Sequence, residues 1–172
     1  LQKVLQGLLR ERVPIRDLET ILETLADWAP HTRDIDVLVE YVRNGLRRSI
    51  CAQYAESDDG GAPRLHCVTM DPAAEERLAG YIDRGPAGTT VSVPPHLATA
   101  LAEAVSATAE PLARAGRPVV VVAGPSVRGP LRQVLDPYIP GVVVLGYNEL
   151  VRGVEVESVG LVQLDRVEAA AA

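Results

Sequence analysis

Apolar residues in the first third of the chain recur at the three- and four-residue spacing of amphipathic helices. Three stripes of this kind follow one another: Leu1 to Leu9, Leu18 to Trp28, and Ile35 to Ile50. Pro14 and Pro30 lie between the stripes, where a missing backbone N–H is tolerated, and Asp34 is placed to cap the third helix. The pattern predicts an all-α unit of three helices over residues 1–55.

The pattern changes after a polar, glycine-rich segment at residues 56–63, which is typical of a linker or exposed loop. Beyond it, short apolar or alternating runs predict strands, helical stretches lie between most of them, and Asp71-Pro72 predicts a helix start. The predicted order is β 64–70, α 72–83, β 89–93, α 95–115, β 119–123, α 126–135, β 142–145 and β 154–164. This order predicts a small α/β layered domain over residues 64–165, followed by a disordered tail at 166–172. The predicted fold class is therefore α+β in two parts.

Composition and charge limit the classes of function that the chain can have. The 172 residues are 47 % hydrophobic, which is enough for real cores, and the net charge is −6. No basic stripe is present, so we predict that the chain does not bind nucleic acid. Cys51 and Cys67 lie in apolar patterns and are predicted to be buried thiols. A helical pattern that already runs at Leu1 predicts a piece of a longer protein, and any membrane segment would lie outside this piece.

One segment could be interpreted as a phosphate loop. Residues 124–130 follow a predicted strand, but they match neither GxGxxG nor GxxxxGK[ST], and both prolines remove a backbone donor. The favoured interpretation is a tight turn into a helix capped by Ser126. A nucleotide-binding α/β enzyme domain is the alternative, and it requires an open pocket with convergent donors at the carboxyl edge of the sheet.

Catalytic and metal-binding patterns are not evident. His31, His66 and His96 lie on different predicted elements without the spacing of metal ligands. The pairs Asp58-Asp59 and Glu75-Glu76 are more simply a loop and a solvated helix face. We therefore predict no catalytic residue, no cofactor and no metal.

Four sets of residues resemble, in the same order, motifs of one protein family. They are Val13-Pro14-Ile15-Arg16-Asp17-Leu18 with its continuation to Asp27, Glu40-Tyr41-Val42-Arg43, Val144-Leu145-Gly146-Tyr147-Asn148-Glu149-Leu150, and Val159-Gly160-Leu161-Val162. The family is that of the export gate proteins of bacterial type III secretion systems, also called the flagella/hypersensitive-response/invasion protein export pore family. The turn Trp28-Ala29-Pro30 and the pair Arg152-Gly153 favour its injectisome branch over its flagellar branch.

The resemblance implies a structural scaffold. Family members have an N-terminal part in the bacterial inner membrane and a cytoplasmic region of four subdomains that forms a nonameric ring. The ring docks chaperone–substrate complexes, gatekeeper proteins and the stalk of the ATPase complex. By this resemblance, residues 1–55 are the third, ring-building subdomain and residues 64–165 the fourth, and both are cytoplasmic.

The resemblance also nominates residues for the subunit interface or for bracing the helices that form it. These candidates are Arg16, Asp17, Glu40, Tyr41 and Arg43. Without it, Glu40 and Arg43 would be interpreted as an ordinary surface pair at i,i+3 spacing.

Overall fold

The structure is a computed structural model, and it describes residues 1–57, 61–85 and 88–164. Part of the predicted linker (58–60) and the predicted tail (166–172) lie outside these residues. The helices are α1 Gln2–Arg10, α2 Leu18–Trp28, α3 Ile35–Gly45, α4 Arg47–Tyr54, α5 Pro72–Ala79, α6 Pro95–Thr108, α7 Glu110–Arg114 and α8 Pro125–Leu135. The strands are β1 Arg64–Met70, β2 Ile82–Gly85, β3 Gly88–Val91, β4 Val120–Ala123, β5 Val143–Gly146 and β6 Glu155–Val162. The predicted α+β class is confirmed.

The helical part starts and stops where local chemistry favours it, with one difference from the prediction. Asp34 caps α3, because its carboxylate accepts hydrogen bonds from the amides of Asp36 and Val37. The third apolar stripe is two helices and not one, since α3 ends at Gly45 and α4 begins at Arg47. Glycine has a low helix propensity, and here it also allows close approach, because a Cβ on Gly45 would lie 3.0 Å from Thr24 Oγ1.

The main sheet is parallel and has the strand order β5-β4-β1-β6. The strand predicted at 89–93 is present as β3, but it does not join this sheet. Helix α5 ends at Ala79, earlier than predicted, and β2 then pairs with β3 as an antiparallel hairpin outside the sheet. Apolar content alone did not distinguish a hairpin strand from a sheet strand.

Helices cover both faces of the sheet. Alternate residues of β1 point to opposite cores: Val68 and Met70 pack with α5 to α8, whereas Leu65 and Cys67 pack with α1, α3 and α4. The helical part therefore shares a core with the sheet. The end of the helical part is paired with the start of β1, because Glu56 and Arg64 exchange two backbone hydrogen bonds of 2.7 and 2.8 Å.

Helix α8 differs from the prediction at its start. Gly124 and not Ser126 precedes the helix, and Pro125 takes its first turn, where a missing N–H costs nothing. Pro130 lies inside the helix and cannot donate to the carbonyl of Ser126. The guanidinium of Arg84, on β2, donates to that carbonyl instead. The hairpin is thereby attached to α8.

Candidate functional site

Two buried arginines meet where the helical part joins the sheet. Arg43 comes from α3 and Arg128 from α8, and each is only 2 % exposed. Charges removed from water to this extent need partners. Carboxylates from three places supply them: Glu11 after α1, Glu40 on α3, and Glu149 in the 3₁₀ turn that follows β5. We call these five side chains the junction network.

Glu11 is shared by both arginines. Its Oε2 lies 3.1 Å from Arg43 Nη1 and 2.5 Å from Arg128 Nη1, and its Oε1 accepts from Arg128 Nη2 at 3.1 Å. Glu40 accepts from Arg128 Nε at 2.8 and 3.0 Å and also from Nη2. Glu149 binds the other arginine, with Oε1 2.8 Å from Arg43 Nη2. Helices α1, α3 and α8 are thus connected by charge-assisted hydrogen bonds.

The same network closes the edge of β5. The carbonyl of Val144 accepts from Arg43 Nη2 at 3.4 Å and from Arg128 Nη1 at 3.3 Å. The amide of Gly146 donates to Glu149 Oε2 at 2.7 Å. An edge strand with free backbone groups invites pairing with another strand, and these side chains occupy two such groups on β5, the Val144 carbonyl and the Gly146 amide.

The electrostatics of the network follow from this geometry. Burial by itself would raise the pKa of Glu11, but the charges and hydrogen bonds of Arg128, together with Arg43 and Arg132, hold that pKa below its ordinary value. Burial would lower the pKa of Arg128, and the carboxylates of Glu40 and Glu11 raise it instead. Both groups are therefore ionised at neutral pH.

Beside the network lies a cleft of about 670 Å³ between α1, α3, the β2–β3 hairpin and α8. Its lining mixes charges of both signs, including Arg84, Arg132, Asp36 and Asp136. Burial and the nearby carboxylates of Asp34 and Glu11 raise the pKa of Asp36. The cleft reaches the carboxyl edge of the sheet only at Pro125 and Ser126, which follow β4, and does not extend over residues 71–75 or 146–149, which follow β1 and β5.

The five candidate residues separate into two groups. Arg16 and Asp17 are exposed, and Asp17 caps α2 by accepting from the Thr20 amide at 3.1 Å. Glu40 and Arg43 do not form the i,i+3 pair, since each bonds to a residue distant in sequence. Tyr41 stacks on Trp28 with ring centroids 3.7 Å apart, which ties α3 to α2.

Sequence reasoning missed three members of the network: Glu11, Arg128 and Glu149. Arg128 lies inside the segment 124–130, which could be interpreted as a phosphate loop, and Glu149 lies inside one of the family motifs. The motif around Glu149 was a signal that could have nominated it. Glu11 does not stand out by periodicity, because it lies between Arg10 and Arg12. Arg128 does not stand out either, because it lies in a segment rich in glycine and proline, which is typical of a turn.

Two positions at the start of α8, Gly124 and Pro125, offer no backbone donor to a phosphate. The amide of Gly124 donates to Glu75 Oε1 at 2.8 Å, and the next residue is a proline. A Cβ at position 124 would lie 2.7 Å from Glu75 Oε2, so glycine allows this close approach. A phosphate at this turn would meet a carboxylate, which removes the support for the nucleotide-binding alternative.

The described residues hold neither a metal-binding cluster nor a membrane-spanning helix. Within the described ranges, no group of three or more His, Cys, Asp or Glu side chains is arranged to hold a metal ion. In the same part of the chain, no helix combines the length and apolar character that a membrane span needs. Both cysteines are free and buried, and burial raises the pKa of the Cys67 thiol to about 11.

The fold and the junction network define a two-part α+β domain whose helical part is held on a parallel sheet by buried charges. The chain belongs to the FHIPEP family, whose profile matches residues 1–155. The resemblance to type III export gate proteins is thereby confirmed.

Relatives come from both branches of the family. The chain is 37 % identical to flagellar biosynthesis protein FlhA of Bacillus subtilis over 95 % of this chain and 24 % of that protein. It is 33 % identical to protein hrpC2 of Xanthomonas euvesicatoria over 92 % of this chain and 24 % of that protein. The chain therefore spans about a quarter of the length of these relatives.

Solved structures agree with the fold. The Chlamydia pneumoniae CdsV protein matches with a TM-score of 0.81 and 27 % identity over 93 % of this chain and 45 % of CdsV. Nonameric SctV-C of EPEC matches with a TM-score of 0.77 and 28 % identity over 92 % of this chain and 46 % of that chain. CdsV has also been solved in complex with the CdsO protein.

Proposed function

We propose that this chain is the ring-building and platform portion of the cytoplasmic region of a type III export gate, with no enzymatic role. The observation that carries the proposal is the junction network. It fixes the helical part on the sheet through the buried charges of Arg43, Arg128 and Glu149, and the outer face of α2 is exposed at Leu18 and Leu22.

The exposed face of α2 supports a subunit contact. Leu18 and Leu22 belong to the predicted apolar stripe, yet they are 48 and 50 % exposed, whereas Ile21 of the same helix is buried. Apolar residues at i,i+4 spacing on a free helix face are suited to contact with another protein. Arg16 and Asp17 lie beside Leu18 and would supply specificity to the contact. Glu40, Tyr41 and Arg43 would brace it from inside.

The partners proposed for the assembled protein follow the family. A neighbouring copy in a nonameric ring is supported by nonameric SctV-C, which shares this fold. A stalk component of the ATPase complex, chaperone–substrate complexes and gatekeeper proteins are proposed to dock on the ring. The parent protein would be anchored in the bacterial inner membrane by segments outside this chain, with this part in the cytoplasm.

The test distinguishes residues that contact a neighbouring subunit from residues that only stabilise the helical part. In the complete cytoplasmic region of the parent protein, we expect Leu22→Glu and Arg16→Ala to prevent ring formation in sizing experiments and to reduce secretion. The same substitutions in this chain should leave its urea midpoint unchanged. The exposed Glu103→Ala on α6 is the control. Rings of normal size and normal secretion in both variants would contradict the proposed interface.

The branch is a separate proposal. The two motif features noted above favour the injectisome branch, and we retain that prediction, although identities of 37 and 33 % to a flagellar and a non-flagellar relative do not separate the branches. The test is complementation of strains that lack either the flagellar or the injectisome gate protein by the complete parent protein. Restored motility without restored effector secretion would contradict the injectisome assignment.

A further inference from the structure

The two edges of the sheet are treated differently by the rest of the molecule. Side chains of the junction network bond to the Val144 carbonyl and the Gly146 amide at the outer edge of β5. Strand β6 forms the opposite edge, and no described strand pairs with its outer side. At eight residues it is the longest of the described strands, and it pairs with β1 along its whole length apart from a bulge at Val159.

Known hydrogen bonds show which backbone groups of β6 point outward. The amide of Glu155 donates to Pro63 and the carbonyl of Val162 accepts from Asp71, so both residues face β1. Since backbone groups alternate along a strand, Val156 presents its N–H and C=O to the outside. A bulge at Val159 shifts the register, and Leu161 then faces outward in the same way.

The side chains along this edge are aliphatic on one face of the sheet and acidic on the other. Val156 and Leu161 are 44 and 46 % exposed. They lie beside Leu65 and Thr69 of β1, on the face of the sheet that packs against the helical part. The core on this face includes residues of β1 but none of β6. Glu155 and Glu157 lie on the other face, and both pair with the single guanidinium of Arg64. The imidazole of His66 also lies near this cluster, with Nδ1 3.5 Å from Glu157 Oε2, yet both carboxylates remain more than half exposed and can meet a basic partner.

We propose that the outer edge of β6 is a docking site for an extended segment of a partner protein in which aliphatic and basic residues alternate. The segment adds as a fifth strand, so main-chain hydrogen bonds supply affinity and the alternating side chains supply specificity. Its aliphatic residues cover Val156 and Leu161, and its basic residues face Glu155 and Glu157. The inference is independent of ring assembly and of the interface on α2.

The probe is a capped synthetic heptapeptide that alternates Lys and Val, titrated into the ¹⁵N-labelled chain and followed by amide chemical shifts. We expect shifts concentrated on β6 and β1. A peptide that alternates Glu and Val should bind at least tenfold more weakly, and so should a Lys/Val peptide with N-methyl groups on alternate residues. Equal binding of either control peptide, shifts confined to the cleft, or no shifts at millimolar peptide would overturn the proposal.

A matched pair of variants tests the site in the protein. Val156→Pro removes an outward N–H without removing a bond to β1, and we expect at least tenfold weaker binding. Val156→Ala keeps the N–H and should weaken binding only a few-fold. Unchanged binding by folded Val156→Pro also overturns the proposal. If that variant does not fold, the N-methylated peptide on the unmodified chain decides the question.

Discussion

Arg128 holds two carboxylates from different helices and is itself almost completely buried. Arg128→Met leaves Glu11 and Glu40 without their main partner, and removal of one member of a buried ion pair costs about 3–5 kcal/mol. We expect a loss of this size in the free energy of unfolding, measured by urea denaturation with the fluorescence of Trp28, the one tryptophan in the chain.

A control for this substitution is available on α7. Arg114 pairs with Glu110 at i,i+4 spacing, but both side chains are exposed. Arg114→Met should therefore change the free energy of unfolding by less than about 1 kcal/mol. Equal effects of the two substitutions would show that burial of the junction network does not matter for stability.

Glu11 should make stability depend on pH. Its pKa is lower in the folded chain than in the unfolded chain, so its contribution is fully present above the unfolded value, about 4.3. That contribution is lost as pH falls through the folded pKa. Glu11→Gln should lower stability at pH 7 and flatten its decline below about pH 4.3, measured by urea denaturation across pH. A decline of stability in acid as steep as that of the unmodified chain would contradict the role of Glu11.

Asp36→Asn should instead raise stability at pH 7 in the same measurement, because the folded environment raises the pKa of Asp36.

At the level of elements, the contact between α1 and α3 depends on Gly7. A Cβ at this position would lie 2.8 Å from Val39 Cγ2. Alanine ordinarily stabilises a helix interior by about 1 kcal/mol relative to glycine, but here the stiff side chain of Val39 must move. We expect Gly7→Ala to destabilise the chain in urea and to become neutral or stabilising when Val39→Ala is also present. A stabilising effect of Gly7→Ala alone would contradict this close packing.

For the whole molecule, we expect the isolated chain to be monomeric or weakly associating in dilute solution. The chain spans about a quarter of the length of its relatives, and the surface that receives α2 in a ring is proposed to include segments outside it. Sedimentation at micromolar concentration tests this expectation. A stable nonamer formed by this chain alone would show that residues 1–172 contain both sides of the contact.

Local patterns in the sequence determined much of the fold. Apolar spacing located α1, α2 and α3, Asp34 and the Asp71-Pro72 pair marked helix starts, and alternation located β1. Two long motifs identified the family. These features could be predicted because each depends on residues a few positions apart, where periodicity shows which side of a helix or strand is apolar.

Only the tertiary structure decided which charges are buried and which strand lies at the edge of the described sheet. Arg128 meets Glu40 and Glu11 across 88 and 117 positions of the sequence, and nothing local distinguishes it from an exposed arginine such as Arg114. Nothing local in the sequence predicted the exposure of Leu22 or the separation of β3 from the main sheet either. A sequence pattern shows which face of an element is apolar, but not which other element covers that face. That choice is made by packing between segments distant in sequence, and it determined both the junction network and the edge of β6 with which no described strand pairs.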